Sequence, residues 1–217
     1  MSRFHWLTAL AAVLGLAVVG FTADDKKEEK KADAKKEAAF TDDGHIKLWL
    51  LLAPIPLADG ESQADAVDKE KVKDEAKLAP KEGDKVKVGK DELVWKKQVA
   101  EDYFFDFNKS IGEVKEQAAG YAVTYIIADA EMKDVELEIG SDDGFKIWLN
   151  GKEVGKGTDD RALDKEQNHF EKLTLKKGEN VLVFKVCNGI QEWSGCARFV
   201  DKDDKPITKG LKIELKK

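Results

Sequence analysis

The sequence predicts an all-β protein, a sandwich or barrel of about ten short strands with at most one short helix, carried on a charged N-terminal extension. Three observations predict it. Apolar and polar residues alternate with period two, as in Val135, Leu137 and Ile139 against Glu136 and Glu138, which makes one face core and the other wet. Turn chemistry punctuates the chain at short intervals, above all at Asn150-Gly151, where a two-residue hairpin turn needs positive φ. Apolar residues make up 42% of the chain, enough for a real core, while 37% charged residues require solvated stretches beside it. No fixed-period repeat appears, which excludes a propeller or solenoid.

The elements follow in order. Residues 1–23 read as an export signal: Arg3, then an apolar run from Trp6 to Ala23, then an abrupt change to Asp24-Asp25-Lys26-Lys27. The alternative is an uncleaved membrane anchor, since eighteen apolar residues just suffice to span. Either way the rest of the chain is expected outside the cytoplasmic membrane, in the periplasm, at the cell surface or beyond. Residues 24–43 read as a charged low-complexity spacer, because Asp24 to Ala39 has high helix propensity but no face to bury.

The folded domain is expected over 44–217. Ile46 to Ala53 is apolar on both faces and stops at Pro54-Ile55-Pro56, a buried strand. Glu61 to Lys77 is polar with sparse apolar positions, one surface helix or a loop excursion. Gly83 to Val88, Leu93 to Val99 and the aromatic Tyr103 to Phe107 follow as short strands, and Ala118 to Ala128 as a long buried one. Gly140 to Val154 forms a hairpin, with Phe145, Ile147 and Leu149 alternating against Lys146, Trp148 and Asn150. Leu173 to Val186 repeats that scheme, and Ala197 to Val200 and Ile207 to Leu215 complete the set.

Charge excludes one function class. The balance is 37 Lys+Arg against 43 Asp+Glu, a net charge of −6, and the arginines are Arg3, Arg161 and Arg198 alone. An acidic chain without arginine clusters lacks the forked donors that phosphate recognition favours, so nucleic acid is not an expected partner.

The segment Gly140-Ser-Asp-Asp-Gly-Phe-Lys-Ile-Trp-Leu-Asn-Gly-Lys-Glu-Val154 resembles the signature hairpin of galactose-binding-like jelly-roll domains. It also resembles the matching hairpin of protective-antigen-type lectin domains, which share the Ser-Asp-Asp-Gly opening. Leu175 to Val186 is similar to the strand pair that follows in those domains, and Ile46 to Pro56 to their opening strand in exported bacterial proteins. The resemblance implies a jelly-roll β-sandwich and a non-catalytic module recognising carbohydrate or a cell-surface polymer. The alternatives are a structural or protein-interaction sandwich without a sugar site, or an accessory subunit of a separate hydrolase.

The site candidates are few. Asp142 and Asp143 can offer oxygens to Ca²⁺, as paired aspartates do in the lectin relatives; otherwise they anchor a turn in which Gly144 takes the awkward dihedral. No other cofactor is expected. Trp193 and Trp148 are the candidates for stacking on a sugar face, against the commoner role of packing, whereas Trp49 and Trp95 belong to the core. Cys187 and Cys196, separated by eight residues, are expected to close a disulfide in an oxidising compartment, the alternative being two buried thiols. No nucleophile-elbow serine and no marked carboxylate pair supports catalysis.

Overall fold

The computed structural model describes residues 38–216. In chain order the elements begin with β1 (Leu48–Pro56), α1 (Gln63–Asp68), β2 (Lys85–Val88), β3 (Asp91–Val94), β4 (Lys96–Val99), β5 (Phe105–Asp106) and α2 (Phe107–Ile111). They continue through β6 (Ala118–Ala128), β7 (Met132–Asp142), β8 (Gly144–Leu149), β9 (Lys152–Gly157), β10 (Asn168–Leu175), β11 (Gly178–Asn188), β12 (Ser194–Val200) and β13 (Leu211–Glu214). All strand pairs are antiparallel. One sheet runs β4-β1-β6-β11-β8-β9, with β13 beside the far half of β6; the other runs β10-β7-β12-β5; β2 and β3 form a separate hairpin.

The two larger sheets face each other across the main core, so the protein is an all-β sandwich. Alternation decides who faces in. From the larger sheet come Leu51, Ala122, Phe145, Ile147, Leu182, Phe184 and Val186; from the smaller come Val135, Leu137, Ile139, Ala197 and Phe199. Phe105 sits at the centre of an aromatic group, 4.8 Å from Trp49 and 5.5 Å from Phe184 between ring centroids. Tilted and edge-to-face ring contacts of this kind add to area burial.

A second apolar cluster lies on the outside of the larger sheet, where Leu50, Leu52, Tyr121, Val123, Trp148 and Val183 meet Val67, Val72 and Trp95. Its cover is the segment between β1 and β4. The Glu61 to Lys77 excursion therefore contributes to a core instead of lying on the surface: Ala66 and Val67 are fully buried. Ser62 starts α1 with a reciprocal cap, its hydroxyl accepting from the Asp65 N–H while the Asp65 carboxylate accepts from the Ser62 N–H. This cover explains why β1 and β6 read as apolar on both faces: each is buried on both.

Other differences have local causes. Only Phe105–Asp106 of the aromatic run is strand. The Asp106 carboxylate accepts from the Lys109 N–H and caps α2, which Gly112 ends at φ 84°. This is a second helix where at most one was expected. β1 runs on through Pro56, with a register shift between Leu52 and Ile55 accommodating the prolines.

The fold also starts before Gly44. Ala39 and Phe40 pack on the main core, Phe40 bridges to Ile46, and His45 bridges to Arg198. Residues 38–43 thus belong to the sandwich and not to a spacer. The export signal and the rest of the spacer lie outside the described residues. Among the described residues no helix is long and apolar enough to cross a membrane.

Candidate functional site

Most of the expected site residues gather where β7 turns into β8 and β11 into β12, at one end of the sandwich, whereas Trp148, Asn150 and Gly151 lie towards the other end of β8. Here Asp143 joins three chain segments. One of its carboxylate oxygens accepts from the Gly189 N–H at 2.7 Å and the other from the Arg161 N–H at 3.1 Å. The Ser141 hydroxyl donates to the Asp143 carbonyl at 2.7 Å and accepts from the Arg161 guanidinium at 2.7 Å. That guanidinium lies 5.2 Å above the centre of the Phe145 ring. The pair is a corner brace.

Both carboxyls titrate high for aspartate. Burial, then the neighbouring Asp143 charge, pushes Asp142 up to about 6. Burial also raises Asp143, against the pull of its two N–H donors, and contact with Asp160 adds to the rise. A site that stores protons this way is not yet a cation site. Among the described residues, no third His, Cys or carboxylate donor comes together with both aspartates. The one convergent set of three lies elsewhere, at Glu136, Glu138 and His169.

Gly144 is needed here for a reason the sequence reading missed. Its φ is ordinary, but a Cβ would meet the Val67 methyl at 3.0 Å and the Gly157 carbonyl at 3.3 Å. It lets α1 sit against β8. The Asn150-Gly151 turn is as expected, with φ values of 55° and 80°, the two positive angles of a type I′ hairpin.

The tryptophans correct the expectation of an exposed stacking platform. Trp193 is 1% exposed. Its ring stacks on Phe107 at 4.5 Å, and its indole N–H donates to the Val186 carbonyl at 3.2 Å. Gly120 makes the room: a Cβ there would strike both rings. Trp148 is 4% exposed, because the face of β8 opposite the main core is not solvent but the second cluster. Trp49 and Trp95 are core, as expected.

The disulfide is also corrected. Cys187 and Cys196 are free thiols. Strand parity forbids the bridge: on β11 Leu182, Phe184 and Val186 point into the main core, so Cys187 points outward into the second cluster. On β12 Ala197 and Phe199 point inward, so Cys196 points out of the other sheet, beside Gly140 and the Asp164 carbonyl. The full thickness of the sandwich separates the two sulfurs, far beyond disulfide reach. Burial pushes both thiols up to about 12, which keeps them unreactive.

Two features escaped the sequence reading. On the larger sheet's outer face, Lys185 is fully buried, and its ammonium donates to the Val67 carbonyl at 3.1 Å, the Lys69 carbonyl at 2.7 Å and the Glu75 carboxylate at 3.0 Å. The Tyr121 hydroxyl donates to the same carboxylate. On the other side, Glu138 was expected on a wet face but is 2% exposed, held by Arg198 at 2.5 Å. A lysine in an otherwise apolar strand was the available signal for the first; a cross-strand arginine cannot be paired with a glutamate without the register.

Phe104, half-buried, lines a hollow of about 230 Å³ with Gln98, Asp102, Asp106 and Lys109. No protein-family model matches the chain, and no curated protein matches it.

Proposed function

We propose that the chain is an exported, non-catalytic β-sandwich module that works by protein interaction or as a structural part, without a stacked-aromatic sugar site. The burial of Trp193 and Trp148 carries this reading, because it removes both rings on which sugar stacking depended. The non-catalytic part is supported by Asp143, whose carboxylate is spent on bracing two backbone N–H groups. Export rests on the residues 1–23 pattern, and jelly-roll topology on the resemblance of the Gly140–Val154 hairpin.

One observation favours carbohydrate as a second reading. Phe104 presents an aromatic ring in a polar hollow of about monosaccharide size, although Gln98 and Asp106 there already bond each other's main chain or amide groups. A glycan array with the full chain, run with and without chelator, separates the two. The first reading expects no sugar above background. A sugar whose binding is lost in Phe104→Ala would establish the second, and chelator sensitivity would bring back calcium at Asp142 and Asp143.

A further inference from the structure

We propose that Glu136, Glu138 and His169 form a binding site for a divalent transition-metal ion of the zinc class. The three side chains meet because of register. Glu136 and Glu138 are two apart on β7 and so share its outer face, and His169 on β10 stands directly opposite Glu138. Their donor atoms lie within 4.8 Å of one another. His169 Nδ1 is 2.7 Å from Glu136 Oε1 and 3.2 Å from Glu138 Oε1.

Those separations suit a metal. Bonds of about 2.0–2.2 Å at tetrahedral angles place ligand atoms roughly 3.3–3.6 Å apart, so the Nδ1–Glu138 distance nearly fits and the Nδ1–Glu136 contact has to open by a little over about half an ångström. Two rigid, hydrogen-bonded strands hold the ligands, which limits the ordering cost of binding. The outer shell is built as well. Arg198 takes Glu138 Oε2 at 2.5 Å and leaves Oε1 directed at the histidine, while its other end is held by Glu166 at 2.9 Å.

Charge and access agree. Glu136, Glu138 and Glu166 against Arg198 leave a surplus of two negative charges around the imidazole, which gives up its proton when an ion binds. The His169 side chain is 50% exposed, so an ion can enter and the open coordination position meets solvent. One imidazole with two carboxylates selects zinc and its first-row neighbours over Ca²⁺, which takes six to eight oxygens.

Calorimetric titration of the chelator-stripped full chain with zinc alone tests the proposal. One ion per chain is expected, with Kd of about 10 μM or tighter. His169→Ala and Glu136→Gln should each weaken binding by at least about tenfold, whereas Glu153→Gln, on the far sheet, should leave it unchanged. As a measurement independent of the variants, zinc should shift the His169 ring resonances of the wild-type protein before those of His45. No binding below millimolar zinc, equal affinity in His169→Ala, or an unmoved His169 ring would each overturn the site.

Discussion

The two outer faces of this sandwich are finished in opposite ways. The larger sheet is roofed by the chain between β1 and β4, and the contact is mostly apolar, with one buried lysine pinning the roof through two carbonyls and Glu75. The smaller sheet carries a row of charge instead: His169, Glu138 and Arg198 lie side by side on three neighbouring strands, with His45 bridged beyond. Its cover is the short stretch around Arg161 to Glu166 and the turn at Thr41 to His45, both tied by ion pairs such as Lys165 to Asp43 at 2.6 Å. A long insertion can bring enough apolar surface to make a second core. A short loop cannot, and must satisfy polar groups pairwise.

The largest expected effect attacks the roofed face. Lys185→Met leaves Glu75 buried without its cation and should cost about 3–5 kcal/mol in chemical denaturation. Adding Glu75→Gln should recover part of that loss, because no unpaired charge remains. A single variant as stable as wild type would show that the lysine does not hold the roof. On the ionic face, Arg198→Met should cost about 2 kcal/mol, less than the lysine, since Glu138 keeps His169 as a partner and Arg198, unlike Lys185, is itself partly exposed. Its cost should also shrink in high salt, while that of Lys185→Met should not. Equal salt dependence would erase the distinction between the faces.

A smaller effect tests where the roof meets the main hairpin. Gly151→Val should destabilise by about 1–2 kcal/mol, because a β-branched residue resists φ of 80° and would crowd Ala76 and Lys77 of the roof. The smallest effect concerns Asp142 on the ionic face. Its carboxyl titrates near 6 when folded against 3.8 unfolded, so the native state holds the extra proton between those values. The stability this proton supplies is present below about pH 4 and lost as pH rises through 6. Asp142→Asn should flatten that slope and gain on the order of 1 kcal/mol at pH 8, rim solvent screening the rest. A stability profile with the same slope in the variant would remove Asp142 as its source.

The fold class was legible because period-two alternation and the Asn150-Gly151 turn are local signals, and both correspond to what the chain does. The second core was not legible. Trp148 and Cys187 looked outward from their strands, and nothing local says that outward means beneath another segment of chain. The same gap hid the burial of Trp193, whose pocket is built by Phe107 and Gly120, both distant in sequence. The cysteine spacing misled because eight residues suggest a hairpin bridge, whereas the chain passes from one sheet to the other between them. Of the candidate site, the Asp142-Asp143 turn was visible and its brace was not, since Gly189 and Arg161 reach it through the backbone and a backbone N–H carries no residue signature.

The placement of the two thiols has one more consequence. Each sulfur is sealed under a different cover, Cys187 under the roof and Cys196 beside the Asp164 carbonyl, and each can meet a thiol reagent only when its own cover lifts. The chain therefore carries two clocks. With Cys196→Ser, the labelling rate of Cys187 times the opening of the apolar side; with Cys187→Ser, the labelling of Cys196 times the ionic side. If both rates equal that of global unfolding, the sandwich opens as one unit; if Cys196 reacts first, the ionic side opens locally while the rest of the fold stays closed.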